Sequence, residues 1–183
     1  MFYIDVDDEI KLKLLGKEDA PEFFNLIQEN REYLERYMPR ISENKSISDT
    51  EKVIDLFVNQ LLINNGFRTG ICYKDKLVGI VGLKYIDWIN EKTEIMCWVG
   101  KNYSGKGIGT RSQKKVIEIT FDHYKLNKLI GKPSITNTAS IKMFEKSGFL
   151  NEGVCCQEEK LNDGFTDVYM YYISKKHYEE NLK

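Results

Sequence analysis

Ser104-Gly105-Lys106-Gly107-Ile108-Gly109-Thr110 lies between a strand-like run, Glu94-Ile95-Met96-Cys97-Trp98-Val99, and a long amphipathic helix pattern that begins near Gly107. A glycine-rich turn that runs into a helix N-terminus directs several unpaired backbone N–H groups at one point. Helped by the positive end of the helix dipole, that point holds phosphate or diphosphate. Glycine removes the Cβ atoms that would keep an anion off the backbone. The expectation is a phosphorylated cofactor. A Walker A loop is excluded, because Gly109 is followed by Thr110-Arg111 and not by Lys and Ser or Thr. A dinucleotide fingerprint is excluded as well: the glycines alternate as G-x-G-x-G, and the loop follows the fourth strand of a mostly antiparallel run.

Upstream of the loop, Phe67 to Tyr73, a tight turn at Lys74-Asp75, Leu77 to Ile86 and Thr93 to Val99 read as three meander strands. Ahead of them Ile10 to Leu15 alternates as a strand with one buried face. Gly16 makes a turn, and Asp19 reads as the N-cap of a helical stretch from Ala20 to Tyr37 with a break near Asn30. Ser48-Asp49-Thr50-Glu51 reads as the capping box of a second helix, carrying Val53, Ile54, Phe57, Val58, Leu61 and Leu62. Downstream, Val116, Ile117, Thr120, Phe121 and Tyr124 share one helical face, and Lys128 to Lys132 is a short strand. Thr138 to Ser147 is a helix closed by Gly148, and a hairpin turns at Asn162-Asp163-Gly164. The expected fold is α/β (α+β): one domain over 1–183, with a mixed, mostly antiparallel sheet of about seven strands and about four helices.

The 183 residues are 42% hydrophobic and 30% charged, with a formal net charge of −1, so nothing in the composition points to nucleic acid. No run approaches a membrane span, and the acidic start from Asp5 to Glu9 is unlike a signal peptide, so a cytoplasmic protein is expected. Cys72, Cys97, Cys155 and Cys156 form no metal-ligand pattern; no metal is expected, and Cys72 and Cys97 read as reduced core thiols. The aromatics Tyr33, Tyr37, Trp88 and Tyr178 read as exposed, marking either a homodimer surface or the acceptor surface.

The element order, the loop, and Asn137-Thr138-Ala139-Ser140 leading to Glu145-Lys146-Ser147-Gly148-Phe149 resemble the GNAT N-acetyltransferase superfamily. Ser104 to Gly109 is similar to its Q/R-x-x-G-x-G/A motif, with Ser104 where Gln or Arg is usual. Glu152-Gly153 and Glu158-Glu159-Lys160-Leu161-Asn162-Asp163-Gly164 resemble the RimJ/RimL type, which acetylates ribosomal proteins. The resemblance implies acetyl-CoA as donor and a splay between the fourth and fifth strands that admits pantetheine. It implies that backbone of Trp98, Val99 and Gly100 pairs with the pantetheine, an N–H near Val99 polarising the thioester. Ser104, Gly105, Lys106, Gly107, Ile108, Gly109 and Thr110 would hold the diphosphate, and Asn137 the pantetheine arm.

Attack on a thioester needs a neutral amine. An α-amine titrates near pH 8, so roughly a tenth to a fifth is neutral at pH 7, against about one part in several thousand for a lysine amine. A protein N-terminus therefore needs only a modest base. The resemblance places that base at Glu159, with Glu94 in reserve; for either, a solvated carboxylate is the alternative. Phe144 stands where many relatives carry a Tyr acid, which leaves Ser140 beside the leaving sulfur; Ser140 also suits a helix cap. The implied acceptor is the α-amine of a protein, a ribosomal one first. A small amine (spermidine or an aminoglycoside) and a CoA-binding sensor without turnover are the alternatives. Glu158, Glu159, Asp163 and Asp167 would suit a cationic acceptor.

Overall fold

The computed structural model describes residues 2–183. Its eight strands are β1 (Tyr3–Asp5), β2 (Ile10–Lys13), β3 (Phe67–Tyr73), β4 (Lys76–Asp87), β5 (Lys92–Val99), β6 (Lys128–Gly131), β7 (Leu150–Leu161) and β8 (Gly164–Ser174). The helices are α1 (Ala20–Glu35), α2 (Ile47–Leu62), α3 (Ile108–Glu118), α4 (Thr138–Lys146) and α5 (Lys175–Asn181). The strands form one sheet in the order β1-β2-β3-β4-β5-β6-β8-β7, antiparallel except where β5 meets β6.

The mixed sheet matches the expected class, with one strand and one helix more. β1 pairs with β2 across an acidic turn, where its three exposed residues carried no buried-face alternation to mark a strand. α5 starts at Ser174, whose hydroxyl accepts from the His177 N–H. It packs Tyr178 under Phe121 with ring centroids 4.9 Å apart, so this tyrosine is buried and not a surface aromatic.

Several local expectations shift for physical reasons. α1 runs unbroken through Asn30, because the Asn30 amide turns inward, donating to the Leu26 carbonyl and accepting from the Lys101 N–H. The α2 cap is Ser46, two residues earlier than expected: its Oγ accepts from the Asp49 N–H, and Asp49 accepts in turn from the Lys45 N–H. Asp19 is the N-cap residue of α1 as expected, but its side chain makes no capping bond; the carboxylate accepts instead from the Gly16 N–H and from the buried Lys13 ammonium. At the β3–β4 turn, Lys74 and Asp75 both take left-handed backbone angles, as a two-residue hairpin with right-handed strand twist requires.

Two apolar layers sandwich the sheet. Phe23, Ile27, Ile54, Phe57, Ile80 and Trp98 pack on the α1/α2 face. Val81, Leu83, Ile108, Val116, Phe121, Leu129 and Ile173 pack on the α3/α4/α5 face. Each such side chain contributes about 1.5–3 kcal/mol on burial. Where the site forms, the sheet opens: β5 pairs with β6 only at Lys92↔Lys128, Thr93↔Leu129 and Glu94↔Ile130. Beyond Gly131 the chain leaves β5, and Ser134 bridges to Val168 of β8. The remainder of β5, Ile95 to Val99, thus has a sheet partner on the β4 side alone.

Candidate active site

The parting strands open into a cleft of about 510 Å³. One wall is the loop and first turn of α3, with Ser104, Gly105, Gly107, Ile108, Gly109 and Thr110. A second is the start of α4, with Asn137, Ser140 and Met143. The end of α1 adds Tyr33 and Tyr37, and β5 adds Cys97, Trp98 and Val99. No Asp or Glu lines the cleft.

Gly107 is the α3 N-cap, with φ +73°, and Gly105 has φ +78°. Around both there is open space, so what they supply is the left-handed turn rather than steric clearance. Gly109 differs: a Cβ there would lie 2.5 Å from Met143 Sδ, so this glycine serves the contact of α3 with α4. No side chain caps α3, and its first intrahelical bond runs from the Arg111 N–H to the Gly107 carbonyl at 3.0 Å. The preceding N–H groups are therefore free of the helix ladder and gather at one end of the cleft. Arg111 is turned away, paired with Asp7 and Glu9 at 2.8 and 3.2 Å.

Strand geometry separates the three β5 positions assigned to pantetheine. The Gly100 N–H donates to the Val78 carbonyl at 2.8 Å, which sets the alternation of the β4–β5 ladder. Two residues back, Trp98 therefore also turns its N–H and carbonyl to β4. Cys97 and Val99 turn theirs into the gap. An extended ligand arm on this edge meets the backbone of Cys97 and Val99, while Trp98 contributes its ring, stacked on Phe23 at 6.4 Å. Gly100 and Lys106 are not part of the cleft lining; the Lys106 ammonium sits 5.2 Å from the Tyr103 ring centroid. Asn137 caps α4, its Oδ1 accepting from the Ser140 N–H at 3.1 Å, and both residues line the cleft.

The two candidate bases form a separate group on the α1/α2 face. Glu94 is 5% exposed and accepts from the Lys84 ammonium. Glu159, on β7, is half-buried and carries no such ion pair. Its burial pushes its carboxyl above the usual glutamate range, opposed by Lys84 and Lys132 and reinforced by Glu94 and Glu158. Glu158 bonds Lys132 at 2.7 Å, which holds its carboxyl below the ordinary value. Asp167 accepts from the Gln157 N–H at 2.8 Å. Two of the four acidic residues expected to greet a cationic acceptor are thus already engaged within the protein. Glu94 stands three residues before Cys97, about 10 Å along an extended strand.

Sequence reasoning missed the lysines of this group, Lys84 and Lys132, and the cleft residues Lys142, Met143 and Lys146. Strand periodicity marks which face a lysine takes but not which carboxylate it meets. Phe144 is 5% exposed and stacked on Tyr171 at 5.6 Å, a core side chain facing Gly131. Tyr37 donates to the Thr136 carbonyl at 3.3 Å, and Asn162 to the Glu35 carbonyl at 3.4 Å, tying the end of α1 to both the β6–α4 connection and the β7–β8 turn.

An uncapped helix start in a cleft without carboxylates, beside a strand edge with free backbone groups, has the donors that a diphosphate with an amide-bearing tail requires. Residues 9–150 match the family model described as the acetyltransferase (GNAT) domain. The chain belongs to the GNAT acetyltransferase family. It is 32% identical over 181 residues (98% of each chain) to a Bacillus subtilis (strain 168) protein provisionally named as the ribosomal N-acetyltransferase YdaF. It is 25% identical over 170 residues to the ribosomal-protein-serine acetyltransferase of Escherichia coli (strain K12), covering 92% of this chain and 94% of that one. Among solved structures, the microcin C7 self-immunity acetyltransferase MccE, in complex with acetyl-CoA and AMP, superposes with a TM-score of 0.90 at 29% identity, covering 93% of this chain and 95% of that one. Among the described residues no helix is long and apolar enough to cross a membrane, and no group of side chains could hold a metal ion.

Proposed function

We propose that this GNAT acetyltransferase moves the acetyl group of acetyl-CoA onto the N-terminal α-amine of a protein, a ribosomal protein first of all. Acetyl-CoA supplies an activated acyl group on a thiol leaving group. The N–H groups of Gly107, Ile108, Gly109 and Thr110 bind its diphosphate. The N–H groups of Cys97 and Val99 lie on the parted edge, where one of them donates to the oxygen that gains charge. Ser140 donates to the departing sulfur; a thiol of pKa about 8.5 needs little more. Glu159 accepts the proton of the amine. A carboxyl raised by burial and free of an ion pair is a better proton acceptor than Glu94, whose lone pairs face Lys84.

The single observation that carries this reading is the coincidence of the uncapped α3 N-terminus and the unpaired edge of β5 in one cleft. The names of the Bacillus and Escherichia relatives favour ribosomal proteins. The test is thiol release from acetyl-CoA with purified protein and a panel of ribosomal-protein N-terminal peptides, spermidine and an aminoglycoside. Turnover on at least one peptide, abolished by blocking its α-amine, is expected. Turnover on the small amines alone overturns the protein acceptor, and tight CoA binding with no turnover on any amine overturns catalysis.

A further inference from the structure

We propose that Lys142 and Lys146, on the exposed side of α4, form the seat of the 3′-phosphate of coenzyme A and so make the protein discriminate against the dephosphorylated cofactor. The inference rests on the acetyl-CoA reading and assigns α4 a second anion beyond the diphosphate at α3.

Both lysines line the cleft, and four residues apart on a helix they lie on one face. Met143 beside them meets Gly109 at the first turn of α3, and both lysines line the same cleft as the glycines of the uncapped α3 start. α4 is held there at its far end too: Ser147 Oγ donates to the buried Gln113 Oε1 of α3 at 2.8 Å. Neither lysine has a carboxylate partner among the described residues, although most other lysines near carboxylates in this chain form ion pairs. The cleft lining offers no acidic residue to neutralise them. Two unpaired cations beside a site already built for a diphosphate match a further group carrying a charge of roughly −1.5 to −2 at pH 7. The α3 amides cannot serve both anions, because the free N–H groups converge on one point.

The experiment is calorimetric titration of the full chain with CoA and with 3′-dephospho-CoA, for the wild type, Lys142→Gln, Lys146→Gln and the double variant. Lys114→Gln, on α3 and outside this cleft, is the control. Wild type should bind CoA on the order of tenfold or more tighter than dephospho-CoA, the difference a charge-assisted contact makes. The double variant should lose that difference while binding dephospho-CoA as wild type does, and Lys114→Gln should change neither. Equal affinity of wild type for both ligands overturns the proposal. So does a double variant that loses affinity for both ligands alike, with its melting temperature unchanged. If wild type binds neither, the coenzyme A reading itself falls, and this inference with it.

Discussion

The cleft and the carboxylate group outside its lining are made from different materials. The donor side is main chain: the uncapped start of α3, two left-handed glycines and the free edge of β5. The proposed acceptor side is side chain: Glu94 with Lys84, Glu158 with Lys132, and Glu159 among them, brought from β4, β5, β7 and the segment after β6. A backbone site is set by local conformation and tolerates change in most side chains around it. A side-chain site depends on register between distant strands. The difference teaches that change in the carboxylate group can leave the backbone-built cleft intact.

The sharpest way to break this division is Glu159→Gln. If Glu159 is the base, kcat should fall by about a hundredfold, the low end of general-base contributions, with CoA affinity unchanged by calorimetry. A parallel loss of CoA binding would show that the two sides are one. Gly107→Val tests the donor side: forcing a β-branched residue to φ +73° costs about 1–3 kcal/mol, so CoA should bind roughly tenfold to a hundredfold more weakly. Lys84→Met strands the buried Glu94 charge. Because the Lys84 side chain is 38% exposed, the expected loss is about 1–3 kcal/mol by urea denaturation, below the range for a fully buried pair. Adding Glu94→Gln should recover most of it.

The smallest effect is a pH dependence. Glu159 has a folded-state pKa above its unfolded value, so the native protein holds the proton to higher pH than the unfolded chain does. Its contribution favours folding at low pH and is lost as pH rises through the folded value. Glu159→Gln should therefore raise the melting temperature slightly at pH 7 and lose that advantage at pH 4. The acid limb of kcat/KM in the wild type, once corrected for the neutral fraction of the amine, should lie above the usual glutamate range. A limb at or below that range would remove Glu159 as the base.

The donor side was largely legible in the sequence because its determinants are consecutive. G-x-G-x-G before a helical pattern states both the turn and the missing cap. Yet the reason for Gly109 was hidden, since it depends on Met143 thirty-four residues away. The acceptor side was legible only as single glutamates found through a family resemblance. That Lys84 answers Glu94 follows from the β4–β5 register, Leu83↔Ile95 one step before, which alternation does not reveal. Ser46 was passed over as the cap in favour of Ser48, which stands inside the first turn of α2. β1 and α5 escaped notice because a three-residue exposed strand and a seven-residue helix have too few positions to show a period.

The ties from Tyr37 to the Thr136 carbonyl and from Asn162 to the Glu35 carbonyl share one property: both acceptors are peptide oxygens. Every amino acid supplies that oxygen, so substitutions at 35 and 136 leave these two bonds their acceptors. The donors have no such freedom. Among relatives that take the same acceptor, the phenol at 37 and the carboxamide at 162 should be retained together, and their joint replacement should mark branches that have turned to another amine.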